Sequence, residues 1–142
     1  MTVVEKFIER AKAVAARVSR VADEAAAARL VEEERARLGA DNVGVVRAAL
    51  GIAETGTCVV VTDDEETRLA TMIPETSILI LQASAIVPTL TDAAPFLRER
   101  QADGRVSYTS MITGPSRTAD IERVSAIGVH GPLAVLVIVI GG

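Results

Sequence analysis

From Leu133 to Ile140 every side chain is apolar, and this run constrains the fold more than any other feature. It is far shorter than the roughly 20 residues a membrane-spanning helix needs. A short, β-branched, uninterrupted run reads as a strand buried on both faces. Two further segments read the same way. Thr57 to Thr62 carries Cys58-Val59-Val60-Val61, and Ser77 to Gln82 carries Ile78-Leu79-Ile80-Leu81 after Pro74. Strands that do not alternate belong to sheets covered by helices, so a mostly parallel sheet is expected. Phe7, Phe96 and Tyr108 are the only aromatics, which leaves Val, Ile, Leu and Ala to build the core.

The helices needed to cover such a sheet are visible. Val3, Val4, Phe7, Ile8, Ala11, Val14 and Ala15 recur at helical spacing, with Glu5, Lys6, Glu9, Arg10 and Lys12 off that face. Asp23 is placed to cap a second helix running to about Leu38, where Gly39 ends it. Ala16 to Val21 fits either more helix or a short strand, and Val43 to Val46 either a short strand or a helix lead-in. After Pro88 and Thr91 a helix is expected to about Gln101, then a turn at Asp103-Gly104 and a strand from Val106 to Ile112. A short helix is expected from about Thr118 to Val124. At 142 residues the chain is read as a single domain over 1–142, burying roughly two-thirds of its unfolded surface.

Several functions are disfavoured. The net charge of −4 and the scarcity of rings argue against nucleic acid as a partner. Cys58 is the only cysteine and His130 the only histidine, so neither a disulfide nor a bound metal is expected. No cofactor signature is present: the chain lacks a P-loop, G-x-G-x-x-G, G-x-S-x-G and H-E-x-x-H. No secretory signal or membrane span is visible, so a cytoplasmic location is expected.

Three clusters hold the chemistry. Thr113-Gly114-Pro115-Ser116-Arg117-Thr118-Ala119-Asp120-Ile121-Glu122 stands where a strand is expected to hand over to a helix. One reading is capping, with Ser116 or Thr118 as N-cap and Asp120 and Glu122 in the first turn. The other is an anion site, with Arg117 beside exposed N–H groups. Glu54-Thr55-Gly56-Thr57 precedes the strand from Cys58. There Glu54 either caps locally or serves as a base or acceptor, with Thr55 and Thr57 supplying hydroxyls beside Gly56. Gly128-Val129-His130-Gly131-Pro132 places His130 either as a proton shuttle or as a structural imidazole.

Taken in order, Ile52-Ala53-Glu54-Thr55-Gly56-Thr57, Ile86-Val87-Pro88-Thr89-Leu90, the Thr113–Glu122 stretch and Gly128-Val129-His130-Gly131-Pro132 resemble the LutC/YkgG branch of the LUD-domain family. The resemblance runs from about Asp41 to the end and is weaker in the first helix. It implies an α/β fold like that of the NagB/RpiA/CoA-transferase class, in a shortened version. It also implies a place in L-lactate utilisation (oxidation to pyruvate) with iron–sulfur partner proteins.

By the motif match, the ligand-binding candidates are Thr55, Gly56, Thr57, Thr113, Gly114, Ser116, Arg117, Thr118 and Asp120. Glu54, Glu122 and His130 are the catalytic candidates. The resemblance leads to an accessory or regulatory component that binds a small anionic ligand and carries no redox group of its own. The alternative is a stand-alone enzyme of the same fold class acting on a phosphorylated or acyl-CoA substrate, with Glu54 or Glu122 as general base. A homo-oligomer built through apolar sheet edges is the third possibility.

Overall fold

The computed structural model describes residues 1–62, 75–102, 108–115, 118–121 and 134–142. Helix α1 spans Val3–Ala13 and starts where the Thr2 hydroxyl accepts the Glu5 N–H. Strand β1 follows at Arg17–Val21, settling the open reading of that stretch in favour of a strand. Helix α2 spans Glu24–Leu38. The Asp23 carboxylate caps it by accepting the Ala26 N–H, and Gly39 ends it at φ 92°.

Strands β2 (Val43–Arg47), β3 (Leu50–Ile52), β4 (Thr57–Thr62), β5 (Thr76–Gln82) and β6 (Ile86–Val87) come next. Helix α3 (Leu90–Ala102) is followed by β7 (Tyr108–Ile112), β8 (Thr118–Ile121) and β9 (Ala134–Ile140). Among the described residues, no helix is long and apolar enough to cross a membrane.

The expected parallel sheet flanked by helices is present. Its order is β1-β9-β5-β2, and every pairing in it is parallel. Alternate side chains of β5 and β9 explain why these strands read as unbroken apolar runs. Ile78, Ile80, Leu136, Ile138 and Ile140 pack with Ala27 and Val31 of α2 on one face. Leu79, Leu81, Val135, Val137 and Val139 pack on the other face with Phe7 and Ala11 of α1. Burying both faces favours apolar side chains on each; Thr76 and Ser77, buried at the start of β5, are the exceptions.

A second sheet lies beyond that inner layer, in the order β6-β3-β4-β7-β8. It is antiparallel except for the β3–β6 pair. Cys58 and Val60 of β4 turn inward to the same core as α1. Ile52 and Val59 turn outward to Ala93, Phe96 and Leu97 of α3. The chain crosses between sheets at Ala48-Ala49: the Ala48 N–H donates to Ile80 in the first sheet and the Ala49 N–H to Val59 in the second.

One expectation is corrected. The stretch from Thr118 does not begin a helix: Thr118–Ile121 is strand β8, antiparallel to β7 with Met111 opposite Ala119. Gly114, at φ 67°, helps turn the chain back between them, as the glycine of a longer hairpin loop does. The helix N-terminus invoked for an anion site beside Arg117 is therefore not there, nor is a helix for Thr118 to cap. Pro74, the Asp103-Gly104 turn, Val106 and the Gly128–Pro132 cluster lie outside the described residues.

Candidate functional site

Two of the motif turns meet at the C-terminal end of α1. Gly56, at φ 68°, lies so close to the helix that a Cβ there would stand 2.5 Å from the Ala11 backbone nitrogen. A Cβ on Gly114 would run into the Val14 carbonyl oxygen. Both positions need a left-handed backbone and the absence of a side chain at once. These two glycines therefore serve helix packing, which fixes where the threonines beside them stand.

Antiparallel pairing does the rest. Cys58 lies opposite Ile112, so the next residues outward, Thr57 and Thr113, become neighbours at the open end of the sheet. Their hydroxyl oxygens are 2.6 Å apart, and the Thr55 and Thr57 hydroxyls are 2.7 Å apart. The result is a chain of three hydroxyls with buried Thr57 at its centre. Both distances are within the usual range for O–H···O hydrogen bonds.

The third motif segment closes the far side. The Ala53 N–H donates to the Val87 carbonyl and the Glu54 N–H to the Pro88 carbonyl. The Glu54 carboxylate accepts the Leu90 N–H at 2.7 Å, which satisfies a free donor in the first turn of α3. Thr89 and Asp92 complete the same helix start. The Thr89 N–H donates to the Asp92 carboxylate, and the Asp92 N–H to the Thr89 hydroxyl. This is why α3 begins at Leu90, slightly earlier than its sequence suggested.

Between these elements lies a cleft of about 430 Å³. Its polar lining is Arg10, Glu54, Thr55, Thr57 and Thr113, and its apolar lining is Ala13, Val14, Leu90 and Met111. Arg10 is the residue that sequence reasoning missed, because it stands off the apolar face of α1. A signal was available, because Arg10, Ala13 and Val14 follow i, i+3, i+4 spacing and so share one face with small apolar residues. Arg10 makes no ion pair among the described residues, whereas Arg17 and Arg37 pair with Glu34 and Arg47 pairs with Glu24.

Thr118 and Asp120 occupy β8 positions opposite Ile112 and Ser110. Ser116, Arg117, Glu122 and His130 lie outside the described residues. Cys58 is fully buried, and burial pushes its thiol up to about 12, so it stays protonated at neutral pH. Among the described residues no group of three or more His, Cys, Asp or Glu is placed to hold a metal. Among the described residues the cleft's chemistry is that of neutral hydroxyls beside one cation, Arg10, and one carboxylate, Glu54.

A LUD domain family model matches residues 32–140. The chain belongs to the LUD domain family. It is 39% identical over 101 residues to lactate utilization protein C of Bacillus licheniformis, a match covering 70% of this chain and 42% of that protein. It is 40% identical over 100 residues to protein YkgG of Escherichia coli, covering 69% and 43%. These matches therefore span less than half the length of either relative. In fold it is similar to the crystal structure of a DUF162 family protein from Deinococcus radiodurans, with a TM-score of 0.66 and 20% identity. That likeness covers 98% of this chain and 96% of the other. The family match begins within α2, so this LUD protein draws the cleft's arginine from a helix that precedes it.

Proposed function

We propose that this LUD-domain protein is an accessory or regulatory component of L-lactate utilisation. Iron–sulfur partner proteins carry the oxidation of lactate to pyruvate, and this chain contributes a binding site for a small anionic ligand. The relatives named lactate utilization protein C support the pathway. The observation that carries the site is convergence. Three separate motif segments, 52–57, 86–90 and 113–115, meet at one cleft and are joined by hydrogen bonds.

The engagement of Glu54 with the Leu90 N–H favours this binding role over the general-base alternative, because the carboxylate already caps α3. Purification of the natively tagged protein and growth of a deletion strain on lactate test the reading. Recovery of iron–sulfur proteins together with impaired lactate growth is the expected result. Recovery of the protein alone, with growth unchanged, would overturn it.

A further inference from the structure

We infer that the cleft takes short-chain 2-hydroxy and 2-oxo monocarboxylates alike, and binds those longer than lactate more tightly. This rests on the anion-site reading above and specifies its chemistry. Arg10 holds the carboxylate, the threonine chain addresses the oxygen on carbon 2, and Val14, Leu90 and Met111 receive the alkyl group.

Charge fixes the first part. A guanidinium presents a planar fork of donors that matches a carboxylate. Arg10 is exposed and unpaired among the described residues, and it lies in the last turn of α1. There it offsets the negative end of the helix dipole, which would otherwise repel an anion. Glu54, the other charged residue in the cleft among those described, accepts the Leu90 N–H and makes no ion pair with Arg10.

The hydroxyl chain fixes the second part. Three threonines carry three O–H protons, and the contacts Thr55···Thr57 and Thr57···Thr113 consume two of them. One end of the chain is therefore left with a free proton and the other with free lone pairs. Either atom of each contact serves as donor, so rotating the hydroxyls reverses the chain without moving a heavy atom. A terminal hydroxyl can donate to a keto oxygen, or reverse and accept from an alcohol. Such a chain does not distinguish the reduced acid from the oxidised one.

Size fixes the third part. A cleft of about 430 Å³ lies within the range of small-molecule sites and exceeds what a three-carbon acid fills. Leu90 is 47% exposed, an apolar surface at the cleft wall open to an alkyl chain. Each methylene buried there should tighten binding about fourfold, the equivalent of ~0.8 kcal/mol.

Calorimetry on the full chain tests this with lactate, pyruvate, 2-hydroxybutyrate, 2-oxobutyrate, 2-hydroxypentanoate and butyrate. The expected series tightens about fourfold per added methylene, with each hydroxy and oxo pair within about threefold and butyrate weaker by about fivefold. Arg10→Gln, on an exposed side chain, should weaken every acid by at least about tenfold. Thr55→Val, also exposed, should weaken the oxygenated acids and spare butyrate. Affinity independent of chain length, a more than tenfold preference for one oxidation state, an Arg10→Gln protein that binds normally, or no binding of any acid would each overturn the inference. The lactate-growth test is independent. The expected binding series without a growth defect removes the pathway and leaves the ligand class, and the reverse result does the opposite.

Discussion

The two sheets of this protein do different work with similar residues. In the first, β5 and β9 are covered on one face by α2 and on the other by α1 and the second sheet, so their alternating side chains are apolar apart from Thr76, Ser77 and Gln82 at the ends of β5. In the second, α3 covers Ile52 and Val59 but leaves the ends of β4 and β7 open, and there Thr57, Met111 and Thr113 line a cleft. Complete coverage leaves a sheet no surface for recognition, whereas partial coverage leaves a pocket at the strand ends. In each sheet a carboxylate ties a strand to the covering helix: in the first Glu34 of α2 pairs with Arg17 of β1, beside the Glu24–Arg47 pair, and in the second Glu54 after β3 accepts the Leu90 N–H of α3. The first is committed to structure, while the second stands in the cleft.

The sharpest way to break the comparison is to damage each sheet separately. Ile138 is fully buried between β9 and α2. Ile138→Ala should cost about 2–5 kcal/mol of stability, read by denaturant unfolding. Well below its lowered Tm the variant should still bind ligand normally, since nothing in the cleft touches that face. Gly114→Ala is the counterpart in the second sheet. It places a Cβ against the Val14 carbonyl at a backbone conformation that L-residues rarely adopt. A loss of about 3 kcal/mol is expected from the combined strain and overpacking. Here the end of α1 must shift, so ligand binding should fall even where the protein remains folded. Equal effects of the two variants on binding would show that the division between the sheets is false.

How much of this was legible in the sequence follows the same division. The parallel sheet was readable because continuous apolar runs and capping residues such as Asp23 and Gly39 act locally, within a few positions. The second sheet was harder. Strands β3 and β6 span three and two residues, too few to show a period. Strand β8 was read as a helix because its hydroxyls and acids suit a first turn, while the hairpin that forms it depends on pairing with β7. The turn motifs were recognised, and Thr55, Thr57 and Thr113 do converge. That Arg10 joins them was not, because it depends on where α1 ends relative to two glycine turns distant in sequence.

A smaller effect concerns the carboxylate that ties α3 to the second sheet. Glu54→Ala removes the cap on the first amide of α3 and should cost about 1 kcal/mol in denaturant unfolding, the usual value of a lost cap. If Glu54 only caps, acid binding at Arg10 should hold or strengthen slightly as a negative charge leaves the cleft. A large fall in affinity with little change in stability would instead make Glu54 a direct ligand contact.

The smallest effect concerns the first sheet's pair and carries a pH signature. The hydrogen bond from Arg17 holds the Glu34 carboxyl below the usual carboxylate value of 4.5, with Arg37 adding to it and burial opposing. A carboxyl whose pKa is lower folded than unfolded binds fewer protons in the folded state near its titration. Its stabilising contribution is therefore fully present above pH 4.5 and fades as pH falls through the folded value. Arg17→Met should lose roughly 0.5–1 kcal/mol at pH 7, as a partly exposed ion pair does. The gap between wild type and variant should close progressively below pH 4.5. A gap that persists unchanged in acid would mean that Arg17 stabilises by something other than its pairing with the Glu34 carboxylate. Either way acid binding in the cleft should be unaffected at pH 7, because Arg17 and Glu34 lie outside the cleft lining. Failure of that independence would couple the Arg17–Glu34 pair to the cleft through the core that the two sheets share.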